Sequence, residues 1–193
     1  WKCCWTKEIP QEWKPWKKHK DKNTLTVREV LAHQAGLNPY IVFLSEVRKK
    51  NGKLKRKWVH NKPSKKYSQQ AFENLYIKNK FKKKVYREIS KSKVSIEKKY
   101  KYSGLTFLLY PQLIENITGI SYTDYLRSNF YDPLENTTMG FNPQLKNFTN
   151  NIVPTEIDTL FRRRITKNWV HDENAALMGG ISGNAGLFAT AHD

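Results

Sequence analysis

Long apolar runs are missing from this sequence. No stretch approaches the roughly 18–20 residues that cross a bilayer, so no transmembrane segment is expected. Cysteine is scarce, and the two residues present, Cys3 and Cys4, are neighbours. A bond between neighbouring cysteines closes a strained ring, and a zinc site needs further ligands at set distances. The pair reads as two incidental thiols, and no metal is expected. Acidic residues are few, 17 against 35 Lys and Arg, which leaves a net charge of +18. Serine is absent before Ser45. The phosphate-cradling orders G-x-G-x-x-G and G-x-x-x-x-G-K-[ST] are absent, and no cofactor is expected. The nucleophile elbow G-x-S-x-G is absent too, because Ser182 is followed by Gly183-Asn184.

The N-terminus lacks the basic, apolar, small-residue order of a signal peptide. The chain starts at Trp1 and ends at Ala191-His192-Asp193, without a polar tail or a helix cap. Both ends read as cuts in a longer protein.

What is present is aromatic bulk and positive charge. Six Trp, ten Tyr and nine Phe supply burial to a composition that is 38% hydrophobic, and 193 residues suit one domain or a large part of one. The charge is uneven. Residues 1–101 hold 29 Lys/Arg and 8 Asp/Glu, a balance of +21, whereas residues 102–193 hold 6 and 9, a balance of −3. Such a basic half can meet nucleic acid, anionic lipid or an acidic wall polymer. Most of the cations are Lys, singly or in short runs such as Lys82-Lys83-Lys84, whereas base reading favours the planar fork of Arg. A solvated lysine surface is the plainer reading, and a nucleic-acid partner is not expected.

The pattern predicts several elements. Residues 1–23 show no period and read as an irregular, possibly non-native segment. Thr26 to Ala35 reads as a helix with Thr26 as N-cap, Glu29 completing a capping box and Gly36 past its end. Residues 48–66 read as a hairpin or exposed excursion around Asn51-Gly52. Phe72, Leu75, Tyr76, Val85, Tyr86 and Ile89 predict helix over 68–90. Leu105, Leu108, Leu109, Leu113, Ile114 and Ile117 predict a strong helix over 105–118, which Pro111 should either kink or enter near its first turn. Ser121 caps another helix over 121–130 with Tyr122, Tyr125 and Leu126 inward, closed by Asp132-Pro133-Leu134. Residues 135–170 read as loop with a basic knot at Arg162-Arg163-Arg164. Gly179, Gly180, Gly183 and Gly186 signal tight turns and close backbone approach.

Several segments, in order, resemble one family. Thr26-Val-Arg-Glu-Val-Leu-Ala-His-Gln-Ala-Gly-Leu37 is similar to the T-[IV]-R-x-L-L-x-H-x-[SA]-G-L segment of β-lactamase-like serine hydrolases. Tyr102-Ser-Gly-Leu-Thr-Phe-Leu-Leu-Tyr-Pro-Gln-Leu-Ile-Glu-Asn-Ile-Thr-Gly119 resembles their Y-S-[ND] motif and the helix after it. Asp132-Pro-Leu134 with Met139-Gly-Phe141 fits the next stretch. Val170-His-Asp-Glu-Asn-Ala175 followed by Gly179-Gly-Ile-Ser-Gly-Asn-Ala-Gly-Leu-Phe188 resembles a segment of a Bacteroidetes-type subgroup, often fused behind a family 3 glycoside hydrolase. The resemblance covers residues 24–193. It implies an α/β, β-lactamase/transpeptidase-like fold, of which this chain holds mainly the helical region as a partial hydrolase domain.

The resemblance also implies a mechanism. A Ser-x-x-Lys pair supplies nucleophile and base, a motif tyrosine shares the proton transfer, and a K-T-G or H-T-G strand frames the oxyanion site. The substrate would be a small molecule or a peptidoglycan-like amide or ester, and the location the periplasm or envelope. Tyr102 matches the motif tyrosine and would act as general acid or base. Ser103, Gly104, Gly183 and Asn184 would line the cleft. Position 104 is Gly where the family has Asn or Asp, which puts full activity in doubt. No serine stands upstream of the Thr26 segment to act as nucleophile, and no H-T-G occurs. Ser90-Lys-Ser-Lys93 and Ser95-Ile-Glu-Lys98 have the right spacing in the wrong place and read as chance. The chain by itself is expected to be inactive. His33 reads as a structural histidine bonding loop carbonyls, and His171-Asp172-Glu173 as a structural or cleft-lining loop. The rival readings are a basic binding module, with Trp13, Trp16, Trp58 and Tyr67 among its lysines, and a non-catalytic relative marked by Gly104. Oligomeric state is not legible.

Overall fold

A computed structural model describes residues 22, 24–145 and 151–193. The irregular segment expected over residues 1–23, Lys22 apart, lies outside the described residues, and so does the Cys3-Cys4 pair.

The first half holds helices α1 (Val27–Leu31) and α2 (Leu44–Val47), strands β1 (Val59–His60), β2 (Gln69–Phe72) and β3 (Leu75–Ile77), and helix α3 (Phe81–Lys91). The second holds α4 (Tyr110–Thr118), α5 (Tyr122–Leu126), β4 (Gly140–Phe141), β5 (Glu156–Ile157), β6 (Ile165–Thr166), α6 (Glu173–Leu177) and β7 (Leu187–Phe188). The strands form three small antiparallel sheets, β1-β3-β2, β4-β7 and β5-β6. This is the helix-rich α/β arrangement expected.

One core joins both halves. Leu25, Phe43, Val47, Ile77, Phe81, Val85 and Ile89 from the first pack in one cluster with Leu105, Leu108, Leu109, Ala175 and Leu177 from the second. Each such Leu, Ile, Val or Phe contributes roughly 1.5–3 kcal/mol by leaving water. Lys22 is also buried; its ammonium donates to the carbonyls of Ser90, at 2.8 Å, and Ser92 at the end of α3. A cation there meets the negative end of the helix dipole.

The capping box at Thr26 is present: Glu29 N–H donates to Thr26 Oγ1 at 3.2 Å, and Thr26 N–H donates to Glu29 Oε2 at 2.8 Å. The helix stops at Leu31, short of the expected Ala35. His33 turns left-handed (φ 56°), and its carbonyl accepts the Lys101 N–H at 2.8 Å. A long-range partner has taken the backbone that would have continued the helix.

The helix expected over 68–90 is a correction. Only Phe81–Lys91 is helical, and residues 69–77 form a hairpin, β2 and β3, around Glu73-Asn74. Phe72 and Leu75 pair across that two-residue turn instead of stacking along one helix face. Spacing of three is ambiguous when a turn sits between the two apolar residues.

Tyr110–Thr118 follows a 3-10 turn at Phe107–Leu109, with Pro111 in the first turn of α4 as expected. Gly119 caps it in the left-handed region (φ 71°). Ile117 is exposed, not part of the buried stripe. Ser121 caps α5 by accepting the Asp124 N–H at 3.2 Å. Tyr122, Tyr125 and Leu126 are half-buried, and a π turn carries the chain on to Tyr131.

Candidate active site

Tyr102 stands where the loop after α3 meets the helical segment at Leu105. Its neighbours are bonded one after another to residues 33–39. Lys101 N–H donates to His33 O at 2.8 Å, and Ser103 N–H donates to His33 Nδ1 at 3.3 Å. The Ser103 hydroxyl donates to Asn38 O at 2.6 Å, and Gly104 N–H to Pro39 O at 3.3 Å. The Tyr102 ring rests 4.6 Å from the His33 ring, and the Phe107 ring lies 5.6 Å from the same imidazole. Yet the tyrosine is 58% exposed. A fixed base thus presents a free phenol.

His33 corrects one expectation. Its Nδ1 accepts an amide N–H instead of bonding a loop carbonyl, so this nitrogen carries no proton in that bond. Its ring forms part of the seat of Tyr102.

The glycine-rich turn after α6 supplies the facing wall. A Cβ added to Gly104 would lie 3.8 Å from the Tyr102 hydroxyl and 3.9 Å from Asn184 Cβ. Tyr102, Gly104 and Asn184 therefore share one small space. The other two expected cleft residues are supports. Ser103 is buried and turned toward Asn38. Gly183 presses its backbone on the 3-10 turn: its N–H donates to Phe107 O at 3.1 Å, and a Cβ would come within 2.5 Å of that oxygen. Only glycine fits there.

The two Ser-x-x-Lys strings lie elsewhere. Ser90 is buried at the end of α3, with its hydroxyl donating to Arg87 O at 3.1 Å. Ser95 accepts the Glu97 N–H, and Lys98 is ion-paired with Glu29 at 2.7 Å. Among the described residues neither serine is hydrogen-bonded to the lysine of its string, so neither forms a nucleophile–base pair.

A model of the Beta-lactamase family matches residues 8–193. The chain belongs to the Beta-lactamase family. It is 36% identical over 107 residues to a protein of Escherichia coli O157:H7, and 37% identical over the same length to one of Salmonella heidelberg (strain SL476), both named as D-alanyl-D-alanine carboxypeptidases. Each match covers 49% of this chain and 25% of the relative. The chain thus spans about a quarter of the length of these curated relatives.

In this β-lactamase-family chain the cleft wall rests on a buried charge network that the sequence showed only as a basic knot. Arg162 has no exposed side-chain surface and donates to Asp158 Oδ2 at 2.9 Å, Glu156 Oε1 at 3.3 Å and Val170 O at 2.6 Å. Asp158 also accepts the N–H groups of Leu160, Phe161 and Arg162. Burial pushes its carboxyl up, but these backbone hydrogen bonds and the guanidinium outweigh it and hold it below the ordinary aspartate range. The network fixes Val170-His171, and Asp172 then caps α6 by accepting the Ala175 N–H at 2.7 Å. Asn174 ties α6 to Ile41 O at 3.1 Å.

His171, Asp172 and Glu173 diverge, as adjacent residues do. His171 Nε2 faces Glu156 at 3.6 Å, and Asp172 is the helix cap. His171 and Asp172 line a cavity of about 830 Å³ with Trp169, Val153 and Phe188; Tyr102 does not border it. Among the described residues no cluster of His, Cys, Asp and Glu could hold a metal ion, and no helix is long and apolar enough to cross a membrane. Of the aromatics named for the rival reading, Trp58 and Tyr67 share Lys78, whose ammonium lies 5.9 and 6.0 Å from their rings. Trp13 and Trp16 lie outside the described residues.

Proposed function

We propose that this chain carries the tyrosine side of a serine hydrolase that works through an acyl-enzyme on a cell-wall-type amide or ester. Tyr102 passes the proton between the attacking serine and the leaving group, and Ser103, Gly104, Gly183 and Asn184 form and back the cleft. The observation that carries this reading is the exposed Tyr102 phenol on a rigid seat, facing Asn184 across the open Gly104. The names of the relatives favour a D-alanyl-type peptide as substrate and the periplasm or envelope as location. In this reading the Ser-x-x-Lys pair and the H-T-G or K-T-G strand come from sequence outside these 193 residues. Residues 24–193 are then part of the hydrolase domain, and the parent is of the Bacteroidetes-type subgroup, whose hydrolase domains are often fused to a family 3 glycoside hydrolase.

Two measurements test the proposal. The 193-residue chain alone is expected to take no label from a fluorescent penicillin or a fluorophosphonate; a label mapped to Ser90 or Ser95 overturns this. In the protein expressed from its complete reading frame, Tyr102→Phe is expected to lower kcat/KM on a D-alanyl-D-alanine peptide by about 10²–10⁴-fold, the usual worth of a positioned acid–base group. An unchanged rate removes Tyr102 from the mechanism. A basic polymer-binding module would show instead a steep loss of polyanion binding with salt.

A further inference from the structure

Positive charge is concentrated over residues 48–84, which hold 15 Lys/Arg and a single acid, Glu73. That acid is already engaged, because Glu73 Oε2 accepts from Arg164 at 3.1 Å. Among the described residues Lys57, Lys62, Lys65, Lys66, Lys78 and Lys80 have no carboxylate partner.

The fold gathers several of these lysines at one end of a sheet. Val59 at the start of β1 and Gln69 at the start of β2 both pair with Ile77 at the end of β3. The chain on either side of that end is tied down. Asn79 N–H donates to Lys66 O at 3.0 Å, and Asn79 Nδ2 donates to Lys65 O at 3.1 Å. The Tyr67 hydroxyl donates to Lys57 O at 3.2 Å. Two rings then place ammonium groups. Those of Lys57 and Lys78 lie 5.3 and 5.9 Å from the Trp58 ring centre, and that of Lys78 lies 6.0 Å from the Tyr67 ring centre. Phe81 meets Trp58 edge-on at 5.2 Å, and His60 stacks on Tyr67 at 4.0 Å. Both rings thus have ring neighbours already, and neither is a bare platform for stacking a base. Like charges gathered on a fixed frame repel one another, a cost that an anionic chain laid across them offsets.

We propose that this end of the sheet, with Lys57, Lys66 and Lys78 around Trp58 and Tyr67, binds a flexible acidic polymer: a chain of sugar or polyol repeats, each carrying an anionic group. Thirteen of the 15 cations are Lys. An ammonium is a point charge that meets an anion from any direction, whereas reading bases favours the planar fork of Arg. The surface shares no residue with the Tyr102 cleft, and its role is to hold the protein on the polymer. This inference does not rest on the acyl-enzyme reading.

The experiment titrates the protein from its complete reading frame with poly(glycerol phosphate) between about 50 and 200 mM salt, where affinity is expected to fall steeply as contacts release counterions. Lys57→Gln, Lys66→Gln and Lys78→Gln together should weaken binding about tenfold or more at the low-salt end and lower the slope of log affinity against log salt by about 2, each lost contact being worth about 0.7. The matched variant Lys91→Gln, Lys93→Gln and Lys167→Gln removes the same charge from exposed positions elsewhere and should lose less than half as much. The first variant should keep or raise its denaturation midpoint, because it separates like charges. Equal losses in the two variants, or no binding at low salt, reduce these lysines to a solvated surface and overturn the inference. Tighter binding of a thymidine oligonucleotide with the same number of phosphates overturns it in favour of nucleic acid. Binding to phosphatidylglycerol vesicles but not to the free polymer overturns it in favour of a membrane. Hydrolysis of a D-alanyl-D-alanine peptide is a separate readout: a protein that binds the polymer but hydrolyses nothing upholds this inference and overturns the acyl-enzyme reading alone.

Discussion

Residues 24–101 carry most of the lysines, and their ion pairs lie at the surface: Lys84 with Glu46 at 3.1 Å, Lys98 with Glu29 at 2.7 Å, Lys99 with Glu97 at 2.5 Å. Residues 102–193 carry only 6 cations, and one of them, Arg162, is sealed between Asp158, Glu156 and two backbone carbonyls. Apolar exposure runs the other way. Ile117, Phe130, Leu134, Val153, Ile157 and Ile165 are exposed in the second half, while the first half keeps most of its large apolar side chains in the core. The first half therefore meets solvent through charge. The second seals Arg162 inside, keeps Arg127 and Arg164 in exposed pairs, and shows more carbon. Exposed pairs contribute about 0–1 kcal/mol, whereas removing one partner of a buried pair costs about 3–5 kcal/mol. Abundance of charge is thus a poor guide to where charge stabilises this fold.

The comparison breaks first at Arg162. Arg162→Met should cost about 3–5 kcal/mol in a denaturant titration, because it strands the buried Asp158 carboxylate and frees the Val170-His171 carbonyls. A loss under about 1 kcal/mol would place Arg162 with the surface pairs. The acid limb gives a second view. The Asp158 carboxyl lies below the ordinary aspartate range, so its stabilisation is present above that range and is lost as pH falls through the lower folded value. Asp158→Asn should flatten that limb.

Gly183→Ala comes next. The new Cβ would meet Phe107 O at 2.5 Å, a clash with backbone that no side chain can relieve. The expected cost is about 1–3 kcal/mol, as for other overpacked sites. Penicillin acylation by the complete protein should fall further than stability does, because the displaced turn carries Asn184.

These two residues also show what the sequence could and could not reveal. The Thr26 cap, the Pro111 first turn and the glycine-rich turn are local devices, and each was legible because its cause lies within a few residues. Tyr102, Gly104 and Asn184 were picked out by resemblance, but their meeting in one space depends on contacts 80 residues apart. The 69–77 hairpin was misread because two apolar residues three apart suit a helix face and a tight turn equally. Arg162 hid in a run of three arginines, where only the fold decides which one is buried. His33 was legible as structural. Its bond to Ser103 was not, because that needs the loop at 101–104 to come back across α1.

A smaller effect is expected at Thr26 in the first half. Thr26→Ala removes the acceptor of the Glu29 N–H and should cost about 1 kcal/mol, read as a lower denaturation midpoint with unchanged slope. This probe sharpens the comparison, because it removes the capping bonds of the Thr26 hydroxyl in the basic half while every cation is kept.

The smallest effect tests the other side of the contrast. Lys98 binds Glu29 at 2.7 Å, yet its side chain is 43% exposed, so water and salt screen the pair. Burial pushes the Glu29 carboxyl up, but hydrogen bonds from Lys98 and from the Thr26 N–H and hydroxyl outweigh it and hold the group below the ordinary glutamate range. Stability from this group is present above that range and fades as pH falls through the lower folded value. Lys98→Met should raise the Glu29 pKa toward its ordinary value, yet cost no more than about 0.2–1 kcal/mol at neutral pH. The cost should shrink further in 1 M salt, where the screening length is about 3 Å. A salt-independent loss as large as that of Arg162→Met would mean that this exposed pair carries fold stability in its own right, and the division between solvated charge in one half and structural charge in the other would fall.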